Sequence, residues 1–183
     1  MTSRTYVLID GENLDTTLGT VILKHRPEPG ERPRWERVIE FAEQLWQQQV
    51  TGLFFINASS GQVPWPFVNA IQNVGFRAVL LSGSGGEKVV DLGIQRTLDA
   101  LLERDGDVLL GSHDRDFLPH LERLAETDRQ VAVLGFTELM SGGYAEAGIP
   151  VHDLEYDVHA FNVHLPRIRI IPVHDFDPAE FLD

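Results

Sequence analysis

The sequence predicts an α/β fold in which a mostly parallel sheet carries helices on both faces. Two observations favour this class. Short apolar runs typical of buried strands alternate along the chain with segments that have the periodicity of amphipathic helices. Glycine, proline and aspartate residues mark the boundaries between these segments. Strands that alternate with helices form right-handed β-α-β units, which build a parallel sheet covered on both sides.

The first half of the chain is predicted to hold three strands and three helices. Each strand is a four-residue apolar run, and the helices show apolar residues at helical spacing or proline in the first turn. A loop rich in proline and glycine separates the first two helices at residues 27–33. The strands are predicted at residues 6–9, 53–56 and 78–81. The helices are predicted at residues 14–23, 35–46 and 64–74.

The second half continues the same alternation. A glycine-rich loop at residues 82–86 precedes a long helix whose apolar residues form a single stripe. A polar run at residues 112–116 follows the fourth strand. Strands are predicted at residues 108–110 and 131–134, with a possible sixth at 150–154. Helices are predicted at residues 88–103, 118–125 and 139–147.

Four aspartates are predicted to meet at one rim of this sheet. In a doubly wound sheet, ligands bind at the carboxyl ends of the strands, where the strand order reverses. With the order 3-2-1-4-5, strands one and four are central neighbours. Asp10 ends strand one, Asp114 and Asp116 follow strand four, and Asp91 lies in the first turn of the helix after strand three. We therefore expect the four carboxylates to converge.

Each of these aspartates also has a purely structural explanation. Asp10-Gly11 is common turn chemistry, and Asp114 or Asp116 can cap a helix. Lys88 precedes Asp91 by three residues, so it lies on nearly the same helix face and can pair with it. These separate explanations leave open why three distant segments bring carboxylates to one rim.

The residue types limit the chemistry of such a site. The chain has no cysteine, so any metal must be bound by oxygen or imidazole. Clustered carboxylates repel one another unless cations hold them ionised, and hard oxygen ligands select Mg²⁺ or Mn²⁺. Two such ions can activate a water and stabilise the leaving oxygen in a phosphoryl displacement. Hydrolysis of a phosphodiester is the reaction that this site suits best.

Composition adds expectations about partners and location. The net charge of −13 argues against broad nucleic-acid binding, because affinity for phosphate backbones comes mainly from Lys and Arg. Basic residues between Lys24 and Arg37 alternate with glutamates, so a solvated loop is favoured over a strand-binding patch. No apolar run is long enough for a membrane span, and no signal peptide is evident. We expect a cytoplasmic protein without membrane association.

Three blocks in this sequence resemble the NYN domain family, which includes the LabA-like proteins and belongs to the PIN-like nuclease superfamily. The blocks are VLIDGENL at residues 7–14, KVVD at 88–91 and LLGSHDRDF at 109–117. The resemblance covers about residues 5–155. It implies a PIN-like three-layer sandwich and a metal-dependent ribonuclease.

The resemblance also implies roles for individual residues. Its acidic metal site, with catalytic function, corresponds to Asp10, Asp91, Asp114 and Asp116. The residues expected to support the site or bind substrate are Asn13, Ser112, Lys88 and Arg115. His113 stands where relatives carry a small residue, and a partly exposed loop histidine is favoured over a ligand.

The sequence thus predicts an endoribonuclease that cleaves single-stranded RNA with Mg²⁺ or Mn²⁺ and a metal-activated water. Two alternatives stay open: a non-catalytic module that binds RNA or a protein partner, and another metal-dependent phosphoryl-transfer enzyme. Residues 1–156 are predicted to form the catalytic domain and residues 157–183 a tail. Within the tail, residues 167–171 alternate like an edge strand, which could cover the sheet edge or support a homodimer.

Overall fold

The computed structural model describes residues 3–182 and contains one six-stranded parallel sheet. Its strand order is β3-β2-β1-β4-β5-β6, which contains the predicted order and adds the sixth strand at the edge. The strands are β1 (Arg4–Asp10), β2 (Gln49–Asn57), β3 (Phe76–Leu81), β4 (Asp107–Gly111), β5 (Val131–Gly135) and β6 (Val151–Asp153). The helices are α1 (Gly11–Thr17), α2 (Trp35–Trp46), α3 (Trp65–Asn73), α4 (Val89–Leu101), α5 (Leu118–Ala125) and α6 (Gly143–Glu146).

Helices cover both faces of the sheet, and the alternation of side chains along the strands explains why. Val7 and Ile9 of β1 pack in a core with α1, α2 and α3, whereas Leu8 packs in a second core with α4, α5 and α6. The central strands β4 and β5 are buried along their whole length, as strands covered on both faces must be. The predicted three-layer α/β sandwich is confirmed.

Two predicted helices differ from the observed ones. The first begins at Gly11 and continues beyond Thr17 as a π-helix, Leu18–Leu23, which ends at Lys24 in the left-handed conformation. The short helix predicted near residues 139–147 is observed as the shorter α6, Gly143–Glu146. It is separated from a 3₁₀ turn, Thr137–Leu139, by Met140, whose backbone is extended.

The edge strand predicted at residues 167–171 is also wrong, since this segment pairs with no strand of the sheet. The inward residue is an arginine, Arg167, whose charge is matched by acidic side chains of the domain. Ile168 and Ile170 point outward and are 93% and 97% exposed. The alternating pattern therefore reflects a charged inner face and an apolar outer face, the reverse of a usual edge strand. The domain division at residue 156 stays a prediction.

Within residues 3–182, no helix combines the length and apolar character needed to cross a bilayer.

Candidate functional site

The site begins where the central strands β1 and β4 end side by side. Their register pairs Ile9 with Gly111, so the next residues, Asp10 and Ser112, are neighbours at the carboxyl rim of the sheet. The Ser112 hydroxyl donates a hydrogen bond to Asp10 Oδ2 at 3.0 Å. Both residues are buried. Ser112 therefore orients the first carboxylate of the site, consistent with a supporting role.

The loop after β4 is fixed by hydrogen bonds from its own backbone. The amide of Asp114 donates to Ser112 Oγ at 3.1 Å, and the amide of Asp116 donates to Asp114 Oδ1 at 2.9 Å. The second bond makes Asp114 the N-cap of a 3₁₀ turn, Arg115–Phe117. Phe117 is fully buried and anchors the turn. The capping role that the sequence allowed for Asp114 is thus real, and it engages one of its two carboxylate oxygens.

Asn13 connects this loop to α1. Its side-chain oxygen accepts a hydrogen bond from the amide of His113 at 2.7 Å. The start of α1 can lie close to the sheet because Gly11 has no side chain: a Cβ there would lie 2.3 Å from the Phe54 ring. Asn13 therefore ties the start of α1 to the β4 loop through its carbonyl oxygen.

Asp91 reaches the site from α4. Buried Val89 and Val90 fix the first turn of this helix, and the Asp91 side chain is mostly buried beside them. Lys88 Nζ lies 4.0 Å from Asp91 Oδ2, at the outer limit of an ion pair, and the lysine side chain is largely exposed. An exposed pair of this length adds little stability. Pairing with Lys88 therefore compensates Asp91 only weakly.

These residues line one cleft of about 300 Å³. Asp10, Asp91 and Asp114 face it together with Asn13 and Lys88. Asp116 and Arg115 are exposed beside it and do not line it. The structure thus brings three of the four predicted carboxylates to one cavity and leaves Asp116 at its margin.

Three further polar residues of the cleft, Glu12, Thr16 and Asn57, were missed from the sequence. Glu12 follows Asp10 by two residues, and Asn57 ends β2, the strand beside β1. A polar residue at the carboxyl end of a predicted strand was the available signal for Asn57. For Glu12, the signal was its place between Asp10 and Asn13.

The electrostatics of the cleft are dominated by uncompensated negative charge. Asp10 is 3% exposed, and no basic side chain lies within ion-pair distance of it among residues 3–182. Burial raises the pKa of Asp10 to about 6, the Ser112 hydroxyl opposes this shift, and the carboxylates of Asp91 and Asp114 add to it. Burial, followed by Asp114, also raises the pKa of Asp91. Ionising these carboxylates near neutral pH therefore costs free energy, and a cation bound beside them would offset this cost.

The side chains of the cleft are of the type that binds a hard divalent cation, but they are not already arranged around one. All the acidic donors of the cleft are oxygens, the ligand type preferred by Mg²⁺ and Mn²⁺. Within residues 3–182, however, no three His, Asp or Glu side chains are already arranged as an ion-binding group. A cation would have to draw the side chains of Asp91 and Asp114 towards Asp10.

His113 lies beside this cleft and faces away from it. Its ring stacks parallel to Phe136, with the centroids 5.7 Å apart, and Nε2 accepts a hydrogen bond from the Phe136 amide at 3.1 Å. Burial lowers the pKa of His113, which keeps the ring neutral. His113 therefore ties the β4 loop to the end of β5, and its intermediate exposure agrees with the partly exposed loop histidine that the sequence favoured.

A second acidic group, which we call the Arg167 cluster, consists of Glu138, Asp153, Glu155 and Arg167. The Arg167 side chain is 1% exposed and pairs with all three carboxylates, including Asp153 Oδ2 at 2.6 Å and Glu155 Oε1 at 3.2 Å. Its guanidinium also packs on the rings of Phe136 and Tyr156. No sequence pattern indicated this cluster, because Glu138, Asp153 and Arg167 are far apart along the chain.

Comparisons with known proteins agree with this architecture. The family model of the NYN domain matches residues 4–147. The crystal structure of a protein of unknown function from Vibrio parahaemolyticus is similar to this chain with a TM-score of 0.68 and 20% identity, over 85% of this chain and 95% of that one. At this identity the similarity shows the fold alone. No curated protein gives a significant match. The match over most of the chain shows that it belongs to the NYN domain family, within the PIN-like nuclease superfamily.

Proposed function

We propose that this protein is a metal-dependent endoribonuclease that hydrolyses phosphodiester bonds of single-stranded RNA. The observation that carries the proposal is the cleft at the ends of β1 and β4, where Asp10 is buried, faces Asp91 and Asp114, and has no basic partner among the described residues. A buried carboxylate group without compensation is costly unless a ligand supplies the positive charge. Membership of the NYN family supports a nuclease-type, RNA-related function.

The residues of the cleft have distinct roles in this proposal. Asp10, Asp91, Asp114 and Asp116 would hold Mg²⁺ or Mn²⁺, with Asp116 contributing from the margin. The bound ions supply Lewis acidity for a water attacking phosphorus and for the leaving oxygen.

Polar and basic neighbours would complete the site. Ser112 orients Asp10, and Asn13 ties the start of α1 to the loop after β4. Lys88 and Arg115, both exposed beside the carboxylates, would contact the phosphates of the substrate.

A cleavage assay tests the proposal. The full chain is incubated with single-stranded RNA and with DNA of the same sequence in Mn²⁺, Mg²⁺ or EDTA. We expect RNA cleavage in Mn²⁺ or Mg²⁺, none in EDTA, and a loss of at least roughly 100-fold for Asp114→Asn, the scale of losing one electrostatic stabiliser.

Asp128→Asn is the matched control for this assay. It removes one exposed carboxylate from the turn between α5 and β5, at the opposite rim of the sheet, and should leave the rate unchanged. RNA that stays intact in both metals would contradict the proposal. Cleavage of phosphomonoesters in preference to RNA would assign the site to another phosphoryl-transfer reaction.

A non-catalytic NYN module is the second candidate. It is favoured by the lack of a ready three-residue ion-binding group within residues 3–182 and by the net charge of −13. This candidate predicts that RNA or a protein partner binds without being cleaved and that Asp114→Asn has no effect on binding.

The homodimer and the cytoplasmic location stay predictions. Light scattering of the full chain, in which two exposed isoleucines project from the tail, would test the first.

A further inference from the structure

A second cavity, of about 450 Å³, adjoins the acidic cleft along α1. Thr16 lines both cavities, with Asn13 on the cleft side and Thr20 on the other. From Asn13 to Thr20 the helical path rises by about 10 Å. The second cavity is lined by Lys24, His25 and Arg26 in addition to the two threonines, and we call it the basic cavity. A ligand that fills the cleft and extends along α1 would enter it.

The wall of the basic cavity has an unusual local structure. It is formed by the π-helix Leu18–Leu23, a rare conformation that is frequent at functional sites. Lys24 then takes a left-handed backbone, with φ of 61°, and turns the chain back. Gly19 permits the close return, because a Cβ there would lie 2.9 Å from Pro27 Cδ and 3.1 Å from the His25 carbonyl oxygen. The backbone thus presents residues 24–26 beside the helix in a fixed arrangement.

Four basic residues between Lys24 and Arg37 fall into two groups. Arg32 binds Asp15 at 2.9 Å, and Arg37 donates to the carbonyl oxygen of His159 at 3.0 Å, so both are used within the fold. Lys24 and Arg26, in contrast, are exposed and pair with no carboxylate of residues 3–182. Since Arg32 neutralises Asp15, the basic cavity carries a positive charge in a chain whose net charge is −13.

We infer that the basic cavity binds a backbone phosphate of the RNA strand, next to the nucleotide whose phosphodiester lies in the cleft. Lys24 and Arg26 bind the phosphate oxygens, and the hydroxyls of Thr16 and Thr20 donate hydrogen bonds to phosphate or ribose. The inference rests on the proposed function. Away from the bound cations, the carboxylates of the cleft repel the phosphates of an RNA strand. Binding of the adjacent nucleotide is therefore favoured if basic side chains of the protein lie beside its phosphate. Such contacts position the strand without reading its sequence.

The experiment compares Lys24→Gln/Arg26→Gln with Arg77→Gln/Arg104→Gln in the full chain. The second pair removes the same charge from exposed positions outside both cavities. For a labelled single-stranded 12-nucleotide RNA, we expect KM to rise about tenfold in the first variant, with kcat at saturation unchanged. The slope of log KM against log salt should change by about 0.7, because the double variant loses one phosphate contact and each contact on a single strand contributes about 0.7. Cleavage of a dinucleotide should be unaffected.

Two outcomes separate this inference from the proposed function. If the wild type cleaves RNA and the two double variants have the same KM and salt slope, the basic cavity is not a phosphate site and the nuclease proposal stands. If no cleavage occurs in any metal, the nuclease proposal fails and fluorescence anisotropy of the labelled RNA decides the inference. Weaker binding only in Lys24→Gln/Arg26→Gln then supports the phosphate site, and equal binding in both variants overturns it. Thermal melting of both variants verifies that they are folded.

Discussion

The molecule holds two groups of carboxylates that differ in how their charge is compensated. In the Arg167 cluster, a buried guanidinium pairs with three carboxylates and lowers the pKa of Asp153 well below its usual range, although burial alone would raise it. In the cleft, burial raises the pKa of Asp10 to about 6, and Asp91 and Asp114 add to the shift. A compensated cluster stabilises the fold. The uncompensated one weakens it and leaves its charge for a ligand, which is why we assign function to the cleft.

The largest expected effect is on the compensated cluster. Arg167→Met removes the only cation that pairs with Asp153 among residues 3–182 and leaves this buried carboxylate with hydrogen bonds from neutral groups but no counter-charge. We expect the free energy of unfolding to fall by about 3–5 kcal/mol at pH 7, as measured by urea denaturation. Arg123→Met, which breaks an exposed pair with Asp99, should cost less than about 1 kcal/mol. Equal effects of the two substitutions would show that the Arg167 cluster is not compensated in the way described.

Asp10→Asn, in contrast, should raise the free energy of unfolding. The folded-state pKa of Asp10, about 6, lies above the usual aspartate value of 3.8, so the folded protein binds the extra proton more tightly than the unfolded chain. Stability therefore falls as pH rises from about 4 to 6, and above pH 6 the ionised side chain costs up to about 3 kcal/mol. Without metal at pH 7.5, Asp10→Asn should be more stable than the wild type by up to this amount.

The pH dependence provides the control for this prediction. At pH 4 the Asp10 side chain is neutral in the folded wild type, so the advantage of Asp10→Asn should disappear. Thermal melting in EDTA at several pH values measures both limits. A variant that is less stable than the wild type at pH 7.5 would mean that Asp10 is compensated within the fold.

A smaller effect is expected from Ser112→Ala. The hydroxyl donates to Asp10 and accepts from the amide of Asp114, so its loss leaves both groups less well oriented. Loss of a partner that orients a metal ligand typically lowers metal affinity by about 10–100-fold. We expect that reduction in a Mn²⁺ titration, with a stability loss of about 1 kcal/mol. Unchanged affinity would indicate that Ser112 is only part of the packing.

Much of the fold could be predicted from the sequence because the information was local. Apolar runs and helical spacing placed the strands and most of the helices, and the alternating order gave the parallel sheet. The π-helix after Thr17 and the extended backbone at Met140, before α6, could not be foreseen, since both depend on how the chain packs after it turns. Periodicity alone does not report such local distortions.

For the site, the sequence indicated which residues come together but not their partners. Asp10, Asp91 and Asp114 lie around one cleft, as strand adjacency implied, while Asp116 lies at the margin, in the 3₁₀ turn where its amide donates to the capping Asp114 side chain. The tail was misread for a related reason. Arginine and isoleucine alternate at residues 167–171, and the sequence cannot say which face turns inward. The three acidic partners of Arg167, distant along the chain, decide it.

Calorimetric titration of the metal-free protein with Mn²⁺ at pH 7.5 tests the central claim most directly. The account predicts that the wild type binds Mn²⁺, that Asp10→Asn loses this binding, and that Asp128→Asn at the opposite rim binds as the wild type does. Absence of Mn²⁺ binding by the wild type, or binding that Asp10→Asn leaves unchanged, would contradict the claim that the uncompensated cleft is a metal site.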